Sequence, residues 1–207
     1  MERIRKGSLL FFICQFLFFT CRTMSTEKEV KYTAYAGEII NIFLKEMKQD
    51  FGFDCMGNGG SMPYDVRNIT VLLASEKKVT IKEARQLGIT GVKRLLKIIN
   101  NHEKIKPYLY RYPFTANDVD VTISFRDHRG RRRLKDGSIS SVSYLSGKVF
   151  YRIAEMKLVQ DPGLICGKTG KYLRPPKEVE DETLVTILSE TYEEAKAIVE
   201  KEKQANL

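Results

Sequence analysis

Val79 to Thr115, VTIKEARQLGITGVKRLLKIINNHEKIKPYLYRYPFT, carries the densest helical pattern of the chain and runs directly into its clearest strand. Thr80 and Glu83 have the spacing of a capping box, in which the Thr hydroxyl accepts the Glu83 N–H and the carboxylate reaches back. Ile81, Ala84, Gly88, Gly91, Leu95, Ile98 and Ile99 then recur at intervals of three and four, and Val92 and Leu96 widen the stripe. Lys82, Glu83, Arg85, Lys93, Arg94 and Lys97 fall mostly outside it. This predicts an amphipathic helix buried along one face.

Leu87-Gly88-Ile89-Thr90-Gly91 admits two readings. A break at Gly88 with Thr90 capping a second helix resembles a helix-turn-helix DNA reader, with Lys93, Arg94 and Lys97 on the recognition helix. Alternatively the helix continues, each Gly costing roughly 1 kcal/mol relative to Ala, and the small residues let a sheet or helix approach closely. The stripe keeps its phase across both glycines, which favours continuity. Pro107 ends the helix either way, because it lacks an N–H and displaces Lys106 from helical geometry. Tyr108 to Thr115 is then an aromatic-rich connection, read as a core-capping loop in preference to an aromatic ligand platform.

Outward from this centre, Val119, Val121, Ile123 and Phe125 alternate with polar residues, the pattern of a half-buried strand. Ser138–Leu145 and Lys148–Ile153 flank Ser146-Gly147, a hairpin signal. Ile69–Ala74 reads as a first strand and Thr183–Leu188 as a last. Thr191 and Glu194 repeat the capping-box spacing ahead of Tyr192, Ala195, Ile198 and Val199, predicting a C-terminal helix. Ala36, Ile39, Ile40, Phe43, Leu44 and Met47 predict an N-terminal amphipathic helix that packs on the domain in preference to a membrane surface. Phe53–Tyr64 and Met156–Glu182, punctuated by Gly and Pro, read as loops. The expectation is an α+β fold: an antiparallel sheet of about four or five strands packed against a long central helix plus a C-terminal helix.

The chain has 207 residues, 43% of them hydrophobic, and a formal charge of +9, which suits one domain and acidic partners. Arg3, Arg5 and Lys6 precede the apolar run Leu9–Phe19, the anatomy of a signal peptide and too short for a comfortable membrane span. Residues 1–20 therefore read as signal peptide, 21–35 as a tether, 36–52 as the N-terminal helix and 65–203 as the single domain. Leu17-Phe18-Phe19-Thr20-Cys21 resembles a lipoprotein signal with Cys21 as the lipidated residue, although Phe19 and Thr20 stand where smaller residues are usual. Lipidation and simple cleavage both stay open. Cys55 and Cys166 would then be a pair able to form a disulfide in an oxidising compartment.

Arg126, Arg129, Arg131, Arg132, Arg133 and Lys135 form the most basic stretch, a solvated loop or a polyanion contact. No aromatic residue interleaves it, which argues against base stacking. G-K-T-G-K (167–171) is not a P-loop, since Pro162 occupies the place of the required leading Gly. The two histidines, His102 and His128, belong to no metal or nucleophile motif, and no cofactor fingerprint or catalytic residue is legible. A hydrolase of polyanionic material would need Asp, His128 and Arg side chains in one pocket. Asp118 and Asp120 read as solvent-facing.

The runs E-A-R (83–85), I-I-N-N-H-E-K-I-K-P-Y-L (98–109), Y-P-F-T (112–115), D-G-S-I (136–139), G-K-V-F-Y (147–151) and E-T-Y-E-E-A (190–195) resemble an uncharacterised family of bacterial exported proteins. The likeness covers about Asp65 to Lys203. It implies an α+β domain and no known activity, so it supplies no site residues. The expectation is an exported or lipid-anchored, non-enzymatic interaction protein of the cell envelope, with a protein or acidic polymer as partner. The alternative is an intracellular helix-turn-helix nucleic-acid binder, which requires Leu9–Phe19 to be core; export argues against nucleic acid.

Overall fold

The computed structural model describes residues 31–130, 138–165, 167 and 169–205. In chain order these form α1 (31–51), β1 (Asp54–Ser61), β2 (Asn68–Ser75), α2 (Ile81–Asn101), β3 (Val119–Phe125), β4 (Ser141–Leu145), β5 (Lys148–Asp161), β6 (Leu164–Ile165), β7 (Tyr172–Arg174), β8 (Lys177–Thr191) and α3 (Tyr192–Ala205). The signal-peptide segment, Cys21, and Arg131, Arg132, Arg133, Lys135 and Cys166 lie outside the described residues.

Both halves of the first capping box are made: Glu83 N–H donates to Thr80 Oγ1 at 3.3 Å, and Thr80 N–H donates to Glu83 Oε2 at 2.8 Å. From there α2 runs through Gly88 and Gly91 as one helix of 21 residues. The continuous reading is the one observed, and no helix-turn-helix forms at Gly88. Continuity wins because the glycines face the layer beneath: a Cβ on Gly88 would lie 1.9 Å from the Tyr144 ring. Arg85, expected on the polar face, is buried with Ala84, Ile89, Val92, Leu95 and Ile99.

The sheet has six strands in the order β1-β2-β3-β4-β5-β8, and it is mixed. β2 and β3 are parallel, with Ile69 opposite Val119 and Ser75 opposite Phe125, because α2 is the crossover between them. The remaining pairs are antiparallel. β3, β4 and β5 form an antiparallel meander, and the expectation of a wholly antiparallel sheet is corrected at the β2–β3 pair. At the β4–β5 turn Ser146 and Gly147 both take positive φ, 48° and 78°, matching the twist of a tight hairpin. Gly147 has a second reason to lack a side chain, since a Cβ would lie 2.0 Å from Asn117 Oδ1.

All three helices cover one face. Arg94 of α2 binds Asp50 of α1 at 2.6 Å and His102 lies 3.3 Å from Glu38, so α1 runs antiparallel to α2. On the other flank Lys93 binds Glu200 at 2.8 Å and Gln86 binds Glu202 at 3.2 Å, joining α2 to α3. Beneath lie Ile69, Val71, Leu73, Val121, Ile123, Phe125, Val142, Tyr144, Val149 and Tyr151, all buried. The opposite face carries Thr70, Leu72, Thr122, Ser143, Phe150 and Arg152, by strand alternation.

Three boundaries are corrected. Residues 31–35, assigned to the tether, are helical, and Tyr32 is buried in the same core as Ile39, Phe43 and Met47. Asp54–Ser61 is a strand, not a loop; as an edge strand rich in glycine it has no apolar alternation to reveal it. Met156–Glu182 is likewise not mostly loop. β5 and β8 pair from Lys148↔Thr191 to Asp161↔Lys177, while β4 ends opposite Arg152. The outer part of that pair is a two-stranded ribbon extending roughly 30 Å past the sheet, with β6 and β7 paired at its tip.

Candidate interaction surface

The zipping of two loops creates the most distinctive surface. Val66 N–H donates to the Tyr108 carbonyl at 2.8 Å and Tyr110 N–H donates to the Val66 carbonyl at 2.9 Å, so the segment before β2 lies alongside the segment after α2. Of the ten tyrosines in the chain, six (Tyr32, Tyr35, Tyr64, Tyr108, Tyr110 and Tyr112) come from these two loops and the adjoining start of α1. Tyr108 is the inner member, with ring centroids 6.0 Å from Tyr32 and 6.1 Å from Tyr35. Tyr64, Tyr110 and Tyr112 point outward, 82%, 61% and 54% exposed. Tyr108, Leu109 and Phe114 pack on the core, as expected of a core-capping loop, while Tyr110 and Tyr112 stay exposed as an outward aromatic platform.

Cations stack on this platform. The Arg67 guanidinium sits 4.9 Å from the Tyr110 ring centre and the Lys106 ammonium 5.1 Å from that of Tyr112. Each is also matched by a carboxylate: Arg67 by Asp65 at 2.8 Å and Lys106 by Glu103 at 2.7 Å, with Arg111 Nε donating to Asp118 at 2.7 Å. These carboxylates raise all three basic groups above their ordinary values, the hydrogen bond being the larger cause in each case. The pole is aromatic and close to neutral.

Two side chains hold it in shape. Asn100 donates to the Phe114 carbonyl at 2.9 Å and accepts from Phe114 N–H at 2.8 Å. Asp118, expected in solvent, is corrected to a buried position: it sits in the 3-10 turn Ala116–Asp118 ahead of β3, where strand alternation does not apply. Its carboxylate accepts from Thr115 N–H and from Thr115 Oγ1, each at 2.8 Å, and from Arg111. Burial pushes this carboxyl up, but the bonds from Arg111 and Thr115 outweigh it and hold the group below its ordinary value. A lowered folded-state value contributes stability that is complete above the unfolded Asp value of about 3.9 and is lost as pH falls through the folded one. Amide exchange over residues 108–118 should accelerate in that acid window, and Asp118→Asn should show fast exchange at neutral pH with no further acid step.

The basic loop is less convergent. Arg126 is pinned, its Nη1 donating to the Gly130 carbonyl at 2.7 Å and its Nε to Ser124 Oγ at 3.3 Å; Arg129 is exposed, with its N–H on Asp127. A cleft of about 590 Å³ at the carboxyl ends of β2 and β3 includes Lys77 and Arg126, but also Asp54, Glu76 and Asp127. Its described lining therefore has no cationic excess, and His128 is not part of it. Cys55 is exposed on β1 with a free thiol.

A second polar cluster is internal. Arg85 Nε and Nη2 fork onto Glu190 at 2.7 and 3.2 Å, Tyr151 donates its hydroxyl to the same carboxylate, and Tyr144 donates to the Arg85 carbonyl at 3.0 Å. Burial and the Glu190 charge keep the Tyr151 phenol protonated, with its value pushed up. This cluster ties α2 to β4, β5 and β8; its groups are saturated by one another, which suits structure rather than chemistry on a ligand.

The described residues thus define a two-layer α+β scaffold with an aromatic pole. No protein-family model, curated protein or solved structure matches the chain.

Proposed function

We propose that this chain is a non-enzymatic interaction protein that recognises a protein partner through its tyrosine pole. One observation carries this: three exposed tyrosines, two of them under stacked cations, gathered on loops that a half-buried asparagine and a buried aspartate hold in place. Tyrosine and arginine dominate the energetic centres of protein interfaces because they bury large rigid area while keeping a polar handle. Nucleic acid is disfavoured, since phosphate contacts need uncompensated cations and Arg67, Lys106 and Arg111 each have a carboxylate. The amino-terminal sequence supports placing that partner in the cell envelope, the protein being exported and either cleaved or lipid-anchored at Cys21. Among the described residues no helix is long and apolar enough to cross a membrane.

A photo-crosslinking residue at position 110, in the full chain expressed in its own type of cell, should trap one discrete partner. The same residue at position 189, on β8, should trap none. With that partner purified, Tyr110→Ala and Tyr64→Ala should each weaken binding by about 2 kcal/mol, the size of an interface hot spot. Equal crosslinking from both positions, or unchanged affinity in both variants, would sink the proposal.

A further inference from the structure

Two half-buried arginines on the sheet face away from the helices lack a carboxylate. Arg67, Arg85, Arg94, Arg111 and Arg174 are each paired with one. Among the described residues Arg126 and Arg152 are not. Arg126 Nη1 donates to the Gly130 carbonyl at 2.7 Å and its Nε to Ser124 Oγ at 3.3 Å. Arg152 Nη1 donates to Ser143 Oγ at 2.8 Å, and its guanidinium lies 5.2 Å from the Phe150 ring centre. A guanidinium carries five N–H donors, so most of them are unclaimed on both side chains. The neighbouring carboxylates do not answer them. Asp54, Glu76 and Asp127 in the adjoining cleft each have another partner, and Asp120, on the same face, accepts from Ser146 N–H at 3.0 Å.

The space between the two arginines is floored by hydroxyls. Ser124, Ser141 and Arg152 stand in one cross-strand row over β3, β4 and β5, and Thr122, Ser143 and Phe150 form the next. Ser141 is 2% exposed, and its Oγ is buried without a hydrogen-bond partner. Buried polar groups left in that state are rare in folded proteins. Diagonal neighbours on a sheet face are about 7–8 Å apart. Ser124 and Ser143 are such neighbours, so the guanidiniums bound to them flank Ser141. That spacing suits a tetrahedral oxyanion with a charge-assisted bond of about 2.8 Å on each side.

We propose that this row binds a tetrahedral oxyanion dianion, either free phosphate or the phosphate of a monoester, between Arg126 and Arg152. Ser141 donates its hydroxyl to the anion from the floor of the site, and each guanidinium presents the planar fork that matches two phosphate oxygens. The tyrosine pole adjoins the other end of β3, so the two surfaces act separately.

Calorimetric titration of the full 207-residue chain at pH 7.5 tests this, with chloride held at constant ionic strength. Inorganic phosphate or glycerol 3-phosphate should bind at one site with a Kd below about 1 mM. Tighter binding of the ester assigns the site to a phosphomonoester, and tighter binding of the ion assigns it to free phosphate. Arg126→Gln and Arg152→Gln should each raise that Kd about tenfold or more. Arg129→Gln, an exposed change in the same basic loop, should leave it within about twofold. Ser141→Ala should move two readouts in opposite directions: a Kd several-fold higher, and a higher urea midpoint without anion, because an unpartnered buried hydroxyl is gone. Its gain in stability keeps the test valid even where an arginine variant folds poorly. Binding of neither probe up to about 10 mM overturns the proposal. So does equal weakening by all three arginine changes, which would mean diffuse attraction to the loop, or an unchanged Kd in Ser141→Ala.

Discussion

Arg85→Ala should destabilise the protein by about 3–5 kcal/mol, the cost of leaving one member of a buried ion pair alone. The side chains of Arg85 and Glu190 are only 11% and 10% exposed, so water cannot take over the lost partner. Burial by itself pulls the Arg85 guanidinium down, yet its bonds to Glu190 and Tyr151 raise it above its ordinary value, so the cation is held by this cluster. Removing it leaves Glu190 with the Tyr151 hydroxyl as its remaining donor, and frees the part of α2 that packs over β5 and β8. Urea unfolding measures the effect as a lower midpoint at unchanged slope. The loss should come from the orphaned charge, not from missing attraction. Replacing the cluster with apolar groups of similar size (Arg85→Met, Glu190→Leu and Tyr151→Phe together) should therefore recover most of it, since well-packed hydrophobes equal or exceed buried ion pairs. A triple variant as unstable as Arg85→Ala would mean that the cluster contributes through its bonds themselves.

The parts of this fold that sequence reasoning found are those with one wet side and one dry side. The α2 stripe, the alternation of Val119 to Phe125 and the Ser146-Gly147 turn each leave a periodic or conformational mark. Elements wet on both sides leave none. β1 spends Gly57, Gly59 and Gly60 on an edge, and the ribbon strands set Glu180 and Glu182 in register with Leu158 and Met156, so neither shows a dry face. Polar residues that turn inward mislead in the opposite direction. Arg85 occupies an inward position on α2 because its carboxylate arrives from Glu190, 105 residues away, and no local pattern announces that pairing. The tyrosine pole was half legible: Tyr108, Tyr110 and Tyr112 are adjacent in sequence, but Tyr32, Tyr35 and Tyr64 join them only through tertiary contacts and the Val66–Leu109 bridge. The basic loop was conspicuous in sequence, yet among its described residues Arg126 shares a cleft with Asp54, Glu76 and Asp127.

Gly88→Ala should cost about 3 kcal/mol, whereas Gly91→Ala, three residues along the same helix, should stabilise by up to about 1 kcal/mol. Two terms compete at each position. Alanine favours a helix over glycine by roughly 1 kcal/mol, and this gain is common to both. The steric term differs. A Cβ on Gly91 would lie 3.6 Å from Met47 Cε and 3.6 Å from Val121 Cγ1, ordinary contact distances that add dispersion without strain. A Cβ on Gly88 would lie 1.9 Å from Cε2 of Tyr144 and 2.6 Å from its Cζ. That ring cannot swing aside cheaply, because it is buried and its hydroxyl is committed to the Arg85 carbonyl at 3.0 Å. Either the helix lifts from β4 or the Arg85–Glu190 cluster is dragged with the ring, and both outcomes exceed the propensity gain. Combining Gly88→Ala with Tyr144→Leu should then cost less than the sum of the two single changes, because the shorter side chain removes the clash that makes the first one expensive. If Gly88→Ala instead raised the unfolding midpoint, the close approach of α2 to β4 would be wrong, and with it the reason this helix carries glycine on its buried face.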